Sequence, residues 1–177
     1  TTQVTFLKPT ADTTVYAKWE KEAPVLLPFL DVTKSDWFYE DVAYVYENGL
    51  MNGVGEGLFG PNATTTRAMV VTILYRLEGE PTVTGDTPFT DLVAGQYYLD
   101  AVAWASANDI VNGVTSTTFA PNAPITREQF FKITVNFLSA CGYPRDDSPG
   151  TSLSQFADSG QLSSYALPCA RLLVDLG

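Results

Sequence analysis

The sequence predicts a mainly α-helical chain of tandem helix–loop–helix units. Three observations carry this. The chain repeats at an offset of sixty residues, and laying 29–77 on 89–137 without a gap gives 15 identities in 49 positions. Apolar residues in each copy recur at helical spacing on both sides of a short connection. A Thr-Arg step opens the second apolar stripe of each copy, with hydroxyl placement suited to a helix start. A repeat of this period is one supersecondary unit that must bury its apolar face against its copies.

Residues 1–20 come first and differ from the rest. Val4, Phe6 and Val15-Tyr16-Ala17-Lys18-Trp19 alternate around a polar Thr10–Thr14 stretch, which predicts two short strands, a β-hairpin remnant whose neighbours would lie upstream. Residues 21–28 read as a linker stiffened by Pro24 and Pro28. The first unit spans 29–85. Ser35-Asp36 offers an N-cap, Phe38, Val42 and Val45 form the stripe, and Gly49 supplies a left-handed stop. Phe59-Gly-Pro-Asn-Ala63 is a turn with one buried aromatic, and a second helix follows Thr66 with Val70, Ile73, Leu74 and Leu77 inward.

The second unit spans 86–150 on the same plan. Tyr98, Val102 and Ala105 match the first stripe, Asp109 takes the Gly49 place, and Phe130, Ile133 and Phe137 face inward on the second helix. Residues 151–177 begin a third copy at Phe156-Ala-Asp158, with a first helix over 165–177 that admits Pro168 only in its first turn. This third copy is expected to be truncated.

Composition narrows the function. Twenty acidic against ten basic side chains leave a net charge of −10, which opposes nucleic acid or an anionic membrane surface as a partner. No apolar stretch is long enough to insert in a bilayer. Histidine is absent, removing the commonest general base and zinc ligand, and no metal or other cofactor is expected. Cys141 and Cys169 read as two buried free thiols rather than a disulfide.

Phe-x-Asp, an aromatic at the head of the first helix, Asn-Gly-Val, then Phe-x-Pro-x(4)-Thr-Arg resembles the S-layer homology domain over roughly 29–177. The Thr14–Trp19 close resembles the end of a Listeria–Bacteroides type β-repeat. The first resemblance implies a pseudo-threefold helical spindle. It also implies an extracellular place at the cell wall or S-layer, where an exported bacterial protein is anchored non-covalently through an anionic, pyruvylated wall polysaccharide. The family signature Thr-Arg-Ala-Glu stands here as Thr66-Arg67-Ala68-Met69 and Thr126-Arg127-Glu128-Gln129. Thr126 with Gln129 keeps both halves of a capping box, whereas Thr66 with Met69 is expected to keep only the hydroxyl.

Arginine at the first helical position is electrostatically odd, because the helix N-terminus is already positive. Either an acidic neighbour such as Asp31 or Asp91 compensates, or a bound anion does, using the free amides and the guanidinium together. The resemblance favours a ligand at Arg67 and Arg127, with Thr66 and Thr126 beside them. Trp37, Tyr97 and Tyr165 head the first helices, where they serve a spindle core at least as readily as they stack on a sugar. Gly53 and Gly113 suit loop geometry and also allow close backbone approach. The Asp of Phe-x-Asp is expected to be a cap or turn residue. No catalytic residues are assigned, since no carboxylate pair or nucleophile motif stands out. A protein–protein or self-assembling scaffold without glycan binding is the rival reading.

Overall fold

A computed structural model describes residues 26–143 and 152–176. The hairpin expected over 1–20 and most of the 21–28 linker lie outside the described residues. The rest is helical: α1 (Tyr39–Glu47), α2 (Arg67–Leu77), α3 (Leu99–Ala107), α4 (Arg127–Ala140), a 3₁₀ turn (Ser159–Gln161) and α5 (Leu167–Asp175). Among the described residues the only extended pairings are two isolated bridges, Gly55 with Leu58 and Thr66 with Pro124.

Local chemistry sets the helix ends. Each of α1 to α4 closes with paired reverse bonds around a left-handed residue: Gly49, Gly79, Asp109 and Gly142, with φ of 67°, 82°, 56° and 87°. After α1 the Gly49 amide donates to Tyr46 O and the Leu50 amide to Val45 O. After α3 Asp109 and Ile110 donate to Ser106 and Ala105 in the same way. Asp109 therefore does replace Gly49. Pro168 sits in the first turn of α5, where its missing N–H costs nothing.

The start of α1 differs from expectation. The N-cap is Phe38, not Ser35 or Asp36, and it makes no side-chain cap bond. The Asp36 carboxylate instead accepts the Thr33 amide at 2.7 Å and the Thr33 hydroxyl at 3.1 Å, closing the preceding turn. Asp36 thus belongs to the turn that ends two residues before the N-cap.

Packing crosses the repeat boundary. One buried cluster joins Ala68, Val70 and Val71 of α2 to Tyr98 at the N-cap of α3, to Val102, Trp104 and Ala105 of α3 and to Ile133 and Phe137 of α4. A separate cluster holds Phe29, Val32, Tyr39, Val42 and Ala43 of the first unit. Thus α2 shares its core with the second unit rather than with α1, and α4 packs on α5 as α2 packs on α3. This is how a unit unable to bury its own face finds a partner. The rotation of α2 that buries Ala68 and Val71 turns Leu77 outward (55% exposed), and on α4 Phe130 is 42% exposed while Ile133, Val135 and Phe137 are buried, correcting the expected inward placement of Leu77 and Phe130.

The Phe-x-Asp carboxylates hold the loops. Asp31 accepts the Phe59 and Gly60 amides at 2.8 Å each, and Asp91 accepts those of Phe119 and Ala120 at 2.9 and 2.7 Å. These are turn residues acting across 28 and 29 positions of chain. Cys169 is buried and free, but Cys141 is exposed, its thiol 3.4 Å from Glu78 Oε2, so the pair is not two buried thiols.

Candidate functional site

The two Thr-Arg steps have unlike surroundings. At α2, Thr66 Oγ1 accepts the Met69 amide at 3.3 Å, and the Thr66 amide donates to Met69 Sδ at 3.5 Å. The sulfur thus stands in for the acid of the family signature, and the first capping box is weaker, not half missing. The Arg67 amide donates to Ala123 O at 3.1 Å and the Ala68 amide to Pro121 O at 3.0 Å. The first three orphan amides of α2 are therefore satisfied by protein, leaving none for an anion.

Arg67 itself is 5% exposed. Its Nε donates to Phe119 O at 2.8 Å, and its guanidinium lies 4.9 Å from the centre of the Phe119 ring. Burial lowers its pKa, opposed by attraction to Tyr165 and Asp91. The expected ligand contact at Arg67 is corrected here: the side chain fastens α2 to the loop of the second unit.

Arg127 is exposed at the head of α4, its guanidinium 5.8 Å from the Phe131 ring centre. Thr126 Oγ1 accepts the Gln129 amide at 3.2 Å, and the Thr126 amide donates to Gln129 Oε1 at 3.4 Å, so this capping box is complete as expected. Among the described residues no carbonyl takes the Arg127 and Glu128 amides. Arg127 borders an apolar groove of about 560 Å³ walled by Phe131, Leu153, Phe156, Leu162 and Leu173, with Asp158 at its edge. Beside it, Glu128 Oε1 accepts the Ser163 amide at 2.6 Å and Oε2 accepts the Tyr165 hydroxyl at 3.1 Å. The Ser163 bond holds the Glu128 carboxyl below its usual range. Ala68, fully buried, occupies the matching place in the first unit.

A second groove of about 580 Å³ runs between the loop of the first unit, α2 and the head of α3. It brings together Gly53 and Tyr97 of the sequence-predicted set and leaves out Trp37, Arg67 and Arg127. Gly53 has φ of +83°, and a Cβ there would collide with Leu58 O and stand 2.8 Å from the Phe29 ring. Gly113 has φ of +74° and would meet Thr115 O, Phe89 and Thr118 O within 2.6 Å. Both glycines are required by loop geometry. Tyr97 is 56% exposed and Trp37 89%, each edge-on to its neighbour, Tyr98 or Phe38. Tyr165 is also exposed. The neighbours pack on the core while the helix-head aromatics are surface residues, so of the two roles open to them the core one is corrected.

Among the described residues, Arg76 is the one charged side chain lining this groove. Its Nη1 donates to Leu50 O at 3.0 Å, and its Nε stands 3.7 Å from Glu80 Oε1. Asn136 takes the matching position in the second unit and donates to Ile110 O at 3.1 Å. Neither residue carries a local sequence signal, because only tertiary packing brings the end of α2 beside the loop. Asn52, Thr65, Thr72, Met51 and Met69 complete the wall. No group of three or more Asp, Glu or Cys that could hold a metal occurs among the described residues, and no described helix is long and apolar enough to cross a membrane.

The S-layer homology domain model matches residues 28–68 and 88–131. The chain is 34% identical to the surface-layer 125 kDa protein of Lysinibacillus sphaericus over 75% of its own length and 10% of that protein. It is 32% identical to an endoglucanase of Bacillus sp. (strain KSM-635) over 79% of its length and 15% of that enzyme. With the S-layer protein sap of Bacillus anthracis the identity is 27% over 84% of this chain and 18% of that protein. The chain thus spans between 10% and 18% of the length of these relatives. Surface-layer proteins and an endoglucanase share the same short stretch with this chain. The chain belongs to the S-layer homology domain family, modules that anchor surface proteins at the cell wall outside the cell.

Proposed function

We propose that the chain anchors an exported bacterial protein by holding an anionic, pyruvylated polysaccharide of the cell wall, with units at 29–85, 86–150 and a partial unit at 151–177. The carrying observation is the groove that places half-exposed Tyr97, the bare backbone of Gly53 and one cation, Arg76, around a single space. An exposed ring offers a flat apolar face to a sugar, while a lone guanidinium selects one negative group at short range. Arg127, at the head of α4 where no described carbonyl takes the first amides, is the second contact in this reading. Thr126 orders that helix start; Thr66 and Arg67 act only by holding the units together. Trp37, exposed on the first unit, is an auxiliary sugar platform.

The net charge of −10 opposes long-range attraction to such a polymer, so affinity comes from local donors and stacking. Raising salt should therefore weaken retention little. The test is retention on purified cell walls before and after the non-peptidoglycan polymer is stripped, with Tyr97→Ala and Arg127→Ala beside the parent. Loss on stripping, with reduced retention of both variants, supports the reading. Undiminished retention on stripped walls sinks it and leaves the protein–protein scaffold. Equal retention of Arg127→Ala and the parent removes that arginine from the site.

A further inference from the structure

The chain contains two methionines, and both line the Tyr97 groove. Each is half-buried, so each reaches the groove surface. In the second unit the matching places hold Val111, 3% exposed, and Gln129, neither of which is readily oxidised. Of the two related surfaces only this one carries methionine; the exposed Cys141 thiol lies outside the groove. Met69 is further distinguished because its Sδ accepts the Thr66 amide in the capping box.

We propose that Met51 and Met69 form a paired oxidation site that makes the wall of the Tyr97 groove more polar while leaving the fold intact. The oxidant is a peroxide. The thioether sulfur attacks one peroxide oxygen, an S–O bond forms as the O–O bond breaks, and the other oxygen leaves as water with the protons. Sulfur loses two electrons, the peroxide gains them, and the product is the sulfoxide. The sulfoxide oxygen accepts hydrogen bonds far better than a thioether, so at Met69 it can take over the Thr66 amide and preserve the start of α2. The same oxygen adds a dipole to a wall that also carries the apolar surfaces of Tyr97, Phe59 and Ile73. Chemistry that maintains the cap therefore alters the groove.

Treatment of the intact chain with hydrogen peroxide, followed by peptide mass mapping, should oxidise both methionines within about threefold of the rate of N-acetylmethionine. The melting temperature should hold, and amide NMR shifts should gather at Gly53, Thr65 and Tyr97, leaving Ala105 and Ile133 unmoved. Methionines that resist peroxide, or shifts spread through both units with a fall in melting temperature, overturn the proposal. The wall arm rests on the polysaccharide reading. There, oxidation should lower retention about tenfold, the equivalent of one good contact, methionine sulfoxide reductase should restore it, and Met51→Leu/Met69→Leu should ignore peroxide. A parent retained equally before and after complete oxidation overturns the switch. A parent never retained on walls sinks the polysaccharide reading instead, and the mass and NMR results then decide the oxidation site alone.

Discussion

Arg67 and Arg127 stand sixty residues apart at the same step of the same repeat, yet one is sealed in an interface and the other faces solvent. The difference lies in what each meets. Arg67 meets the Phe119 loop of the next unit, whose carbonyls take its Nε and the first amides of α2. Arg127 meets a segment that supplies Ser163 and Tyr165, both of which engage Glu128 rather than the arginine. The first step is a fastening and the second an open donor cluster. A shared motif therefore fixes the helix start in both units, and the neighbour decides what the arginine does.

The largest expected effect separates these two roles. Arg67→Ala removes a buried charge-assisted hydrogen bond and a ring contact while leaving Phe119 O without its donor, which should cost about 2–4 kcal/mol. Arg127→Ala, at an exposed position, should stay within about 0.5 kcal/mol of the parent. Urea unfolding of the two variants measures both numbers. Comparable losses at the two positions would break the comparison.

Acid should act on the same fastening. Asp31 is held below its usual pKa by the Phe59 and Gly60 amides. Burial pushes Asp91 up, but the Phe119 and Ala120 amides and the Arg67 charge outweigh it. Glu128 is lowered by Ser163. For all three the folded pKa is depressed, so their stabilisation is fully present above the unfolded values near ~4 and is lost as pH falls through the folded ones. The urea midpoint should hold between about pH 7 and 5 and drop below about 4. Asp31→Asn/Asp91→Asn should flatten that drop. In a double-mutant cycle, Asp91→Asn and Arg67→Ala should be non-additive, since Arg67 acts on Asp91, while Asp31→Asn and Arg67→Ala should add.

What could be read from the sequence follows the range of the interactions. The Asp109 stop, the Pro168 placement and the Thr126–Gln129 box are set within five residues, and each stands as the local chemistry requires. The burial of Arg67 depends on Phe119, 52 residues away, and no local pattern encodes it. The same holds for Arg76 beside Leu50 across 26 residues. Helical spacing defines a stripe but not its centre: burial of Ala68 and Val71 leaves Leu77 outside on α2, and burial of Ile133, Val135 and Phe137 leaves Phe130 outside on α4. Asp36 shows the opposite failure: its carboxylate closes the Thr33 turn, and the N-cap falls two residues later, at Phe38. For the site, Gly53 and Tyr97 were legible as an unusual backbone and an aromatic in register. Their sharing of one groove came from the packing of α2 on α3.

The smallest effect tests the two capping boxes against each other. Met69 and Gln129 occupy the same position, and the acceptor distances are alike, 3.5 Å to sulfur and 3.4 Å to oxygen. Sulfur is the weaker acceptor, so equal geometry should not mean equal strength. Met69→Gln should raise stability by a few tenths to about 1 kcal/mol, since it restores an amide oxygen at N3. Gln129→Met should lower it by a similar amount at the more exposed α4 start. If Met69→Gln gains nothing while Gln129→Met loses, the thioether already satisfies the Thr66 amide, because Thr66 is half-buried and paired with Pro124. The difference between the two Thr-Arg steps would then reside wholly in the arginines and their neighbours, and not in how each helix begins.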